Sequence, residues 1–221
     1  MKDKLIVFDI DDTLYDEIDY VKSGYKEIAK IVENKYHLHD IYDKLMKLFE
    51  KSSKNVFNRL FDELNISYLD EDIMNFVNIY RNHMPNIKLS NDVIKTLTEL
   101  KKSYQLAIVS DGNYNTQLLK CKALDLDKYF DEIILTDKYG KDYTKPSIKS
   151  FELLCRKFNI VLSNIYYIAD NPNKDFYISK YGIKTIRYYN KNGIYYKDEY
   201  LDNIHEDYQI NKISDVLELF L

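Results

Sequence analysis

Lys4-Leu5-Ile6-Val7-Phe8-Asp9-Ile10-Asp11-Asp12-Thr13 is an unbroken apolar run that ends in acid. Four consecutive apolar residues without alternation fit a strand covered on both faces, as in a parallel sheet between helical layers. An exposed acidic turn is the ordinary explanation for acids at the end of a strand. Their placement argues otherwise, because Asp9 and Asp11 sit where the turning backbone aims both carboxylates into one crevice. Like charges so close call for a cation, and a hard ion such as Mg²⁺ takes oxygen ligands of this type.

Outward from this strand the periodicity changes twice. Between about 17 and 83 the apolar residues fall at helical spacing: Ile18, Val21, Tyr25, Ile28 and Val32; Ile41, Leu45 and Leu48; Phe57, Leu60, Phe61 and Leu64; Ile73, Phe76, Val77 and Tyr80. This predicts about four amphipathic helices and no strand. After Met84 and Pro85, strands alternate with helices. Ser90-Asn91-Asp92 caps a helix running through Lys102, and the strand Gln105 to Val109 ends at Ser110. Next come a helix at 114–124, a strand at 132–136, a helix at 147–158 and a strand at 165–169, the last ending at Asp170. A helix at 173–180 is closed by Gly182 and leads to the strand Lys184 to Tyr188, before a weaker strand at Asp207 to Ile210 and a last helix at 214–220.

That alternation predicts an α/β fold, a Rossmann-like, doubly wound parallel sheet. Residues 1–16 and 84–221 make this core, and 17–83 form an inserted all-α helical module. Ligands of such sheets bind at the carboxyl ends of the strands, so Asp9, Ser110 and Asp170 converge on one edge.

Three further segments carry chemistry. In Val109-Ser110-Asp111-Gly112-Asn113 a hydroxyl and the N–H groups entering a helix offer an anion site, although Ser-Asp-Gly is also a common turn. Lys145, in Thr144-Lys145-Pro146-Ser147, is fixed at a loop-to-helix junction because Pro146 disfavours helix before it and suits a first helical turn. Most lysines are solvated, but one so placed neutralises both a nucleophile and a phosphoryl group. In Ala169-Asp170-Asn171-Pro172-Asn173-Lys174-Asp175, Asp170 closes a strand and Asp175 opens a helix; together they suit a metal ligand and its supporting acid.

In this order the segments resemble the four motifs of the haloacid dehalogenase-like hydrolase superfamily: Asp9-x-Asp11-Asp12-Thr13, then Ser110, Lys145, and Asp170 with Asp175. The resemblance spans essentially the whole chain and makes the helical module at 17–83 the family's cap. It implies a Mg²⁺-dependent phosphatase acting on a small phosphorylated metabolite. Members that dehalogenate lack the acid at Asp11, and those cleaving carbon–phosphorus bonds carry a small residue there. By similarity Asp9 attacks phosphorus, and Asp11, protonated, serves the leaving oxygen and then takes a proton from water. Thr13 supports the turn, and Ser110 and Lys145 hold the phosphoryl oxygens. Mg²⁺ falls to the carboxylates of Asp9 and Asp170 and the carbonyl of Asp11, with Asp175 reached through water. Tyr15, Asp111 and Asn113, just beyond motifs one and two, join Thr13 as candidate substrate contacts, and the phenylalanines and tyrosines between 57 and 80 contribute either to specificity or to the cap's own core.

Two rival readings share the scaffold. A phospho-receiver domain also gathers acids, a hydroxyl and a lysine, but it has neither a long helical insertion after the first acids nor acids corresponding to Asp170 and Asp175. A phosphosugar mutase differs only in what the cap admits.

Composition narrows the rest. With 45% hydrophobic and 31% charged residues, five Gly and three Pro, the chain is a folded protein without long linkers. A formal charge of -4 argues against binding a nucleic-acid polymer, which needs a clustered positive field. The first apolar run is too short for a secretory signal or a membrane span, so no membrane association and a cytoplasmic location are expected. Cys121 and Cys155 read as ordinary thiols, and His37-x-His39 lacks a third ligand. Oligomeric state is left open.

Overall fold

The computed structural model describes residues 3–220. Leu5–Phe8 form β1, every residue of it buried. Gln105–Ser110 (β2), Glu132–Leu135 (β3), Ile165–Ala169 (β4), Lys184–Tyr188 (β5) and Tyr208–Ile210 (β6) complete one six-stranded sheet in the order β3-β2-β1-β4-β5-β6. All neighbours are parallel, with Phe8 beside Ile108 on one side and Ile168 on the other. Alternation along each strand sends Leu5, Val7, Val109, Ile165 and Tyr167 to one face, where they pack with Phe151 and Phe176. Phe8 points to the opposite face and meets Phe130 edge-on at 5.8 Å. Strand order reverses at β1, so the crevice beyond β1 and β4 is where this architecture places a ligand.

The chain divides into two compact units, one comprising residues through Ile18 and from Ile87 onward, the other Asp19–Asn86. The first unit adds α5 (Asn91–Ser103), α6 (Tyr114–Ala123), α7 (Lys149–Phe158) and α8 (Val216–Phe220) to the sheet. Ser90 caps α5 as its sequence suggests, accepting from the backbone of Val93. Two junctions differ from expectation. Pro146 lies three residues ahead of α7, after a cis peptide, and does not open it. The helix expected at 173–180 is a 3₁₀ segment at Phe176–Tyr181. Its start is delayed because Asp175 N–H donates to the Asn171 carbonyl at 3.1 Å and Asn171 N–H to Asp175 Oδ2 at 3.2 Å, which spends residues 171–175 on a closed turn.

The second unit contains most of α1 (Glu17–Tyr36) with α2 (Ile41–Lys51), α3 (Val56–Glu63) and α4 (Asp70–Asn82). Its interior is aromatic: Tyr25 meets Phe49 and Phe57 edge-on, and Phe76 packs against Phe57 and Phe61. Phe57, Phe61 and Phe76 therefore build this unit's own core. A Cβ on Gly24 would overlap the Tyr80 ring, so glycine is what permits α1 to approach α4 here. His83, which has no visible partner in the sequence, is tied to Ser23 Oγ at 3.1 Å and to the Tyr80 carbonyl at 2.6 Å. Among the described residues no helix is long and apolar enough to cross a membrane.

Candidate active site

Asp9 leaves β1 still in register, its N–H donating to the Ile168 carbonyl at 3.0 Å. The chain then turns tightly: Leu14 N–H returns to the Ile10 carbonyl at 2.9 Å, and Asp12 adopts a left-handed φ of 51°. Asp12 is a strut. Its buried carboxylate accepts from Glu17 N–H at 2.8 Å and from Ile194 N–H at 2.9 Å. The second of these bonds brings in a distant loop. Asn190 donates to the Asp12 carbonyl at 3.1 Å and Asp16 Oδ1 at 2.8 Å, while Arg187, stacked over Tyr189 at 4.3 Å, donates to the Tyr195 carbonyl at 3.2 Å. Tyr195 thereby becomes part of a cleft of about 230 Å³, lined also by Asp9, Asp11, Glu17, Asp111, Lys145, Asp170, Lys174 and Asp175.

Three carboxylates from the ends of β1 and β4 meet in this cleft. Asp9, Asp170 and Asp175 each offer an oxygen within 4.8 Å of the others, and all three are buried. Lys145 stands among them, 5% exposed, its Nζ 3.2 Å from Asp9 Oδ1, 2.8 Å from Asp175 Oδ1 and 2.7 Å from the Tyr167 hydroxyl. Asp170 Oδ2 makes no hydrogen bond, and Asp9 Oδ1 makes none besides its ion pair with Lys145. Burial pushes the Asp9 carboxyl up to about 6, with Lys145 pulling it down and Asp175 and Asp11 pushing it further up. Asp170 is held well above the carboxylate range by burial, then by Asp175 and Asp9. Lys145 stays firmly protonated, because the charges of Asp175 and Asp9 outweigh the effect of its burial. Half-buried Glu17 is pushed up to about 8 by burial and by Asp11.

Asp11 faces another way. Its carboxylate accepts from the Tyr15 hydroxyl at 2.6 Å and from Lys120 Nζ at 2.7 Å on Oδ1, and from Gln117 Nε2 at 2.7 Å on Oδ2. Burial raises its affinity for a proton, but Lys120 and these bonds outweigh that and hold it below the ordinary carboxylate range. Three donors therefore favour the ionised form of Asp11 in this geometry, whereas the role that the resemblance implies for it begins with a proton. Tyr15 belongs to this cluster. It is buried with its hydroxyl committed to Asp11, outside the cleft lining.

Of the remaining candidates, Asp111 lines the cleft, its Oδ1 accepting from Thr136 Oγ1 at 2.6 Å and Lys145 N–H at 3.2 Å while Lys174 pairs with Oδ2. Ser110 ends β2, buried, with its hydroxyl 3.5 Å from the Asp111 carbonyl. Thr13 is buried with an unbonded hydroxyl. Asn113 is exposed and caps α6, accepting from Thr116 N–H at 3.2 Å. None of these three lines the cleft. Sequence reading passes over Gln117, Lys120, Glu17 and the Asn190–Tyr195 loop. The one local signal is that Gln117 and Lys120 are buried polar residues at i, i+3 on α6.

A family model described as haloacid dehalogenase-like hydrolase matches residues 6–188. The chain belongs to that family. Among its relatives, a glyceraldehyde 3-phosphate phosphatase from Pyrococcus furiosus is 28% identical over 98% of this chain and 92% of that one. An N-acylneuraminate-9-phosphatase from Homo sapiens is 25% identical over 86% and 84% of the two chains. The fold is shared with the putative HAD-hydrolase YfnB from Bacillus subtilis, solved bound to magnesium, at a TM-score of 0.71 and 16% identity, covering 98% of this chain and 97% of that one.

Proposed function

We propose that this haloacid dehalogenase-like hydrolase is a phosphatase that cleaves a small phosphomonoester through an aspartyl-phosphate on Asp9. The observation that carries the reading is Lys145, a buried cation set between Asp9 and Asp175 beside Asp170. A carboxylate nucleophile needs a fixed positive charge next to it, since phosphoryl transfer is driven by positioning and charge neutralisation. The relatives named as phosphatases support the same reaction class.

Asp9, Asp170 and Asp175 form a hard, all-oxygen donor set, and Asp170 Oδ2 is buried without a hydrogen bond, which fits Mg²⁺. Asp9 and Asp170 would hold the ion, with the Asp11 carbonyl and Asp175 completing the set. When bound, it neutralises charge developing on the phosphoryl oxygens. In the first half-reaction Asp9 attacks phosphorus, the bond to the leaving oxygen breaks, and Asp11, in its protonated form, supplies that oxygen's proton. Lys145, which lines the cleft, holds the phosphoryl oxygens; Ser110, buried at the end of β2, would join it only by turning its hydroxyl from the Asp111 carbonyl. In the second, water attacks the phosphoryl group, Asp11 takes the water's proton, and Asp9 is regenerated. The three donors on Asp11 suit it to this second step.

Metal and pH are expected to act together on stability. The Asp9 carboxyl is raised from 3.8 to about 6, so its proton stabilises the fold below pH 4 and that contribution is lost as pH rises to 6. Asp170 and Glu17 act in the same direction, whereas Asp11, shifted downward, contributes evenly above pH 4. Metal-free protein should therefore melt about 5–10 °C lower at pH 8 than at pH 5. Mg²⁺ should restore more of the melting temperature at pH 8. Melts in EDTA and in Mg²⁺ at the two pH values check both; no Mg²⁺ shift at either pH would remove the case for a cation here, and an equal shift would uncouple it from these acids.

The substrate favoured is a phosphate ester of a short hydroxylated carbon chain. The cleft is about 230 Å³, below the range of roughly 300–1,000 Å³ for drug-sized ligands. Phosphate release across triose phosphates, sugar phosphates, nucleotides and small acid phosphates tests the reading. The expected result is strongest release from triose or sugar phosphates, falling roughly 10²-fold or more in EDTA. If no phosphomonoester is hydrolysed, the phosphatase assignment fails.

A further inference from the structure

The Asp11 carboxylate is gripped by side chains from two parts of the sequence. Tyr15 reaches it from the same turn, while Lys120 and Gln117 reach it from α6, more than a hundred residues away. Lys120 is 2% exposed and Gln117 3%. A helix face packed against a sheet ordinarily carries apolar side chains, and replacing a buried ion pair with such residues is often neutral or stabilising. Stability alone therefore does not account for a lysine and an amide there.

The geometry is over-determined. Gln117 spends one amide hydrogen on Asp11 Oδ2 and the other on the Asp111 carbonyl at 2.8 Å, which fixes its rotamer and ties the first acidic turn to the turn after β2. Gly112 makes room for it: with φ at 118°, a Cβ there would stand 2.9 Å from Gln117 Nε2. Asp11 Oδ1 receives two donors and Oδ2 one. An ionised carboxylate oxygen accepts about two hydrogen bonds, so Oδ2 keeps an acceptor position for one more proton.

We propose that Lys120 and Gln117, with Tyr15, are positioning residues that fix Asp11 for the half-reaction in which water cleaves the aspartyl-phosphate. The inference rests on the phosphatase reading above. In that step the water oxygen bonds to phosphorus, the bond from phosphorus to the Asp9 oxygen breaks, and its electron pair returns to the Asp9 carboxylate. The water proton passes to Asp11 Oδ2, and inorganic phosphate leaves. Lys120, Gln117 and Tyr15 touch neither phosphorus nor water; they act through Asp11.

Rapid-quench kinetics with p-nitrophenyl phosphate separate the two halves, because this leaving group departs without a proton. In Lys120→Met and Gln117→Leu the burst of nitrophenolate should stay within about 3-fold of wild type, while turnover falls about 10- to 100-fold, the size of effect that misplacing a catalytic group produces. Acid-quenched phosphoenzyme should accumulate accordingly. In an Asp11→Asn background Lys120→Met should cost under about 3-fold, since its effect runs through the missing carboxylate. Tyr15→Phe, which preserves the ring, provides the same comparison should the charge-removing variants fail to fold. Equal losses in burst and turnover, or a full loss from Lys120→Met on top of Asp11→Asn, would overturn the inference. A wild-type protein that gives neither burst nor phosphate would instead overturn the phosphatase reading.

Discussion

Asp9→Asn should yield a folded protein with no measurable turnover and a melting temperature, without metal at pH 8, no lower than wild type. The two halves of this expectation come from one feature. Asn keeps the shape of the side chain but cannot attack phosphorus, so no aspartyl-phosphate forms and the rate falls on the order of 10⁴-fold or more. Stability moves the other way because the wild-type carboxylate is charged against its surroundings. The rise from 3.8 to about 6 corresponds to about 3 kcal/mol at pH 8. A neutral amide avoids much of that cost, while Lys145 keeps its 2.8 Å partner in Asp175. Loss of function with gained stability is the signature of a strained active site. Steady-state phosphate release, phosphoenzyme trapping and melts at pH 5 and pH 8 test both arms. A variant with near-normal rate would end the case for Asp9 as nucleophile.

The sequence reveals the sheet because its evidence is local. Strand β1 is fully buried and reads as an uninterrupted apolar run, and each acid at a strand end is visible beside the strand that carries it. Asp9 and Asp170 come together because β1 and β4 are neighbours, which the alternation of elements already suggests. Lys145 is legible through its place before Pro146, although the helix starts later than that proline implies. What stays hidden depends on convergence without a local pattern. Gln117 and Lys120 look like ordinary polar positions of a short helix, and only the approach of α6 to the first turn turns them toward Asp11. The Asn190–Tyr195 loop is similar: its bonds to Asp12 and Asp16 cross more than 170 residues. The same convergence explains why Tyr15, adjacent in sequence to the first acids, serves one of them and does not line the cleft.

Lys145→Met should fail in both respects at once, and its failure should depend on pH. The ammonium lies 3.2 Å from Asp9 and 2.8 Å from Asp175, with only 5% of the residue exposed. Methionine of similar length fills the space but leaves two buried carboxylates facing each other and Tyr167 without its 2.7 Å donor. Removing one partner of a buried pair typically costs about 3–5 kcal/mol, or a fall of very roughly 6–20 °C in melting temperature for a chain of this size. At pH 8 Asp9 is driven toward its charged form with no ammonium beside it. At pH 5 Asp9, already pushed up to about 6 in the wild type and higher once Lys145 is gone, takes a proton and relieves the repulsion. The stability deficit should therefore shrink as pH falls from 8 to 5. Catalysis gains nothing from that recovery, since a protonated Asp9 is no nucleophile and the phosphoryl group still lacks its fixed cation. A loss of kcat/KM of about 10³-fold is expected at either pH. If the deficit in melting temperature were the same at both pH values, Lys145 would be acting by packing, and its charge would have no part in holding Asp9 ready.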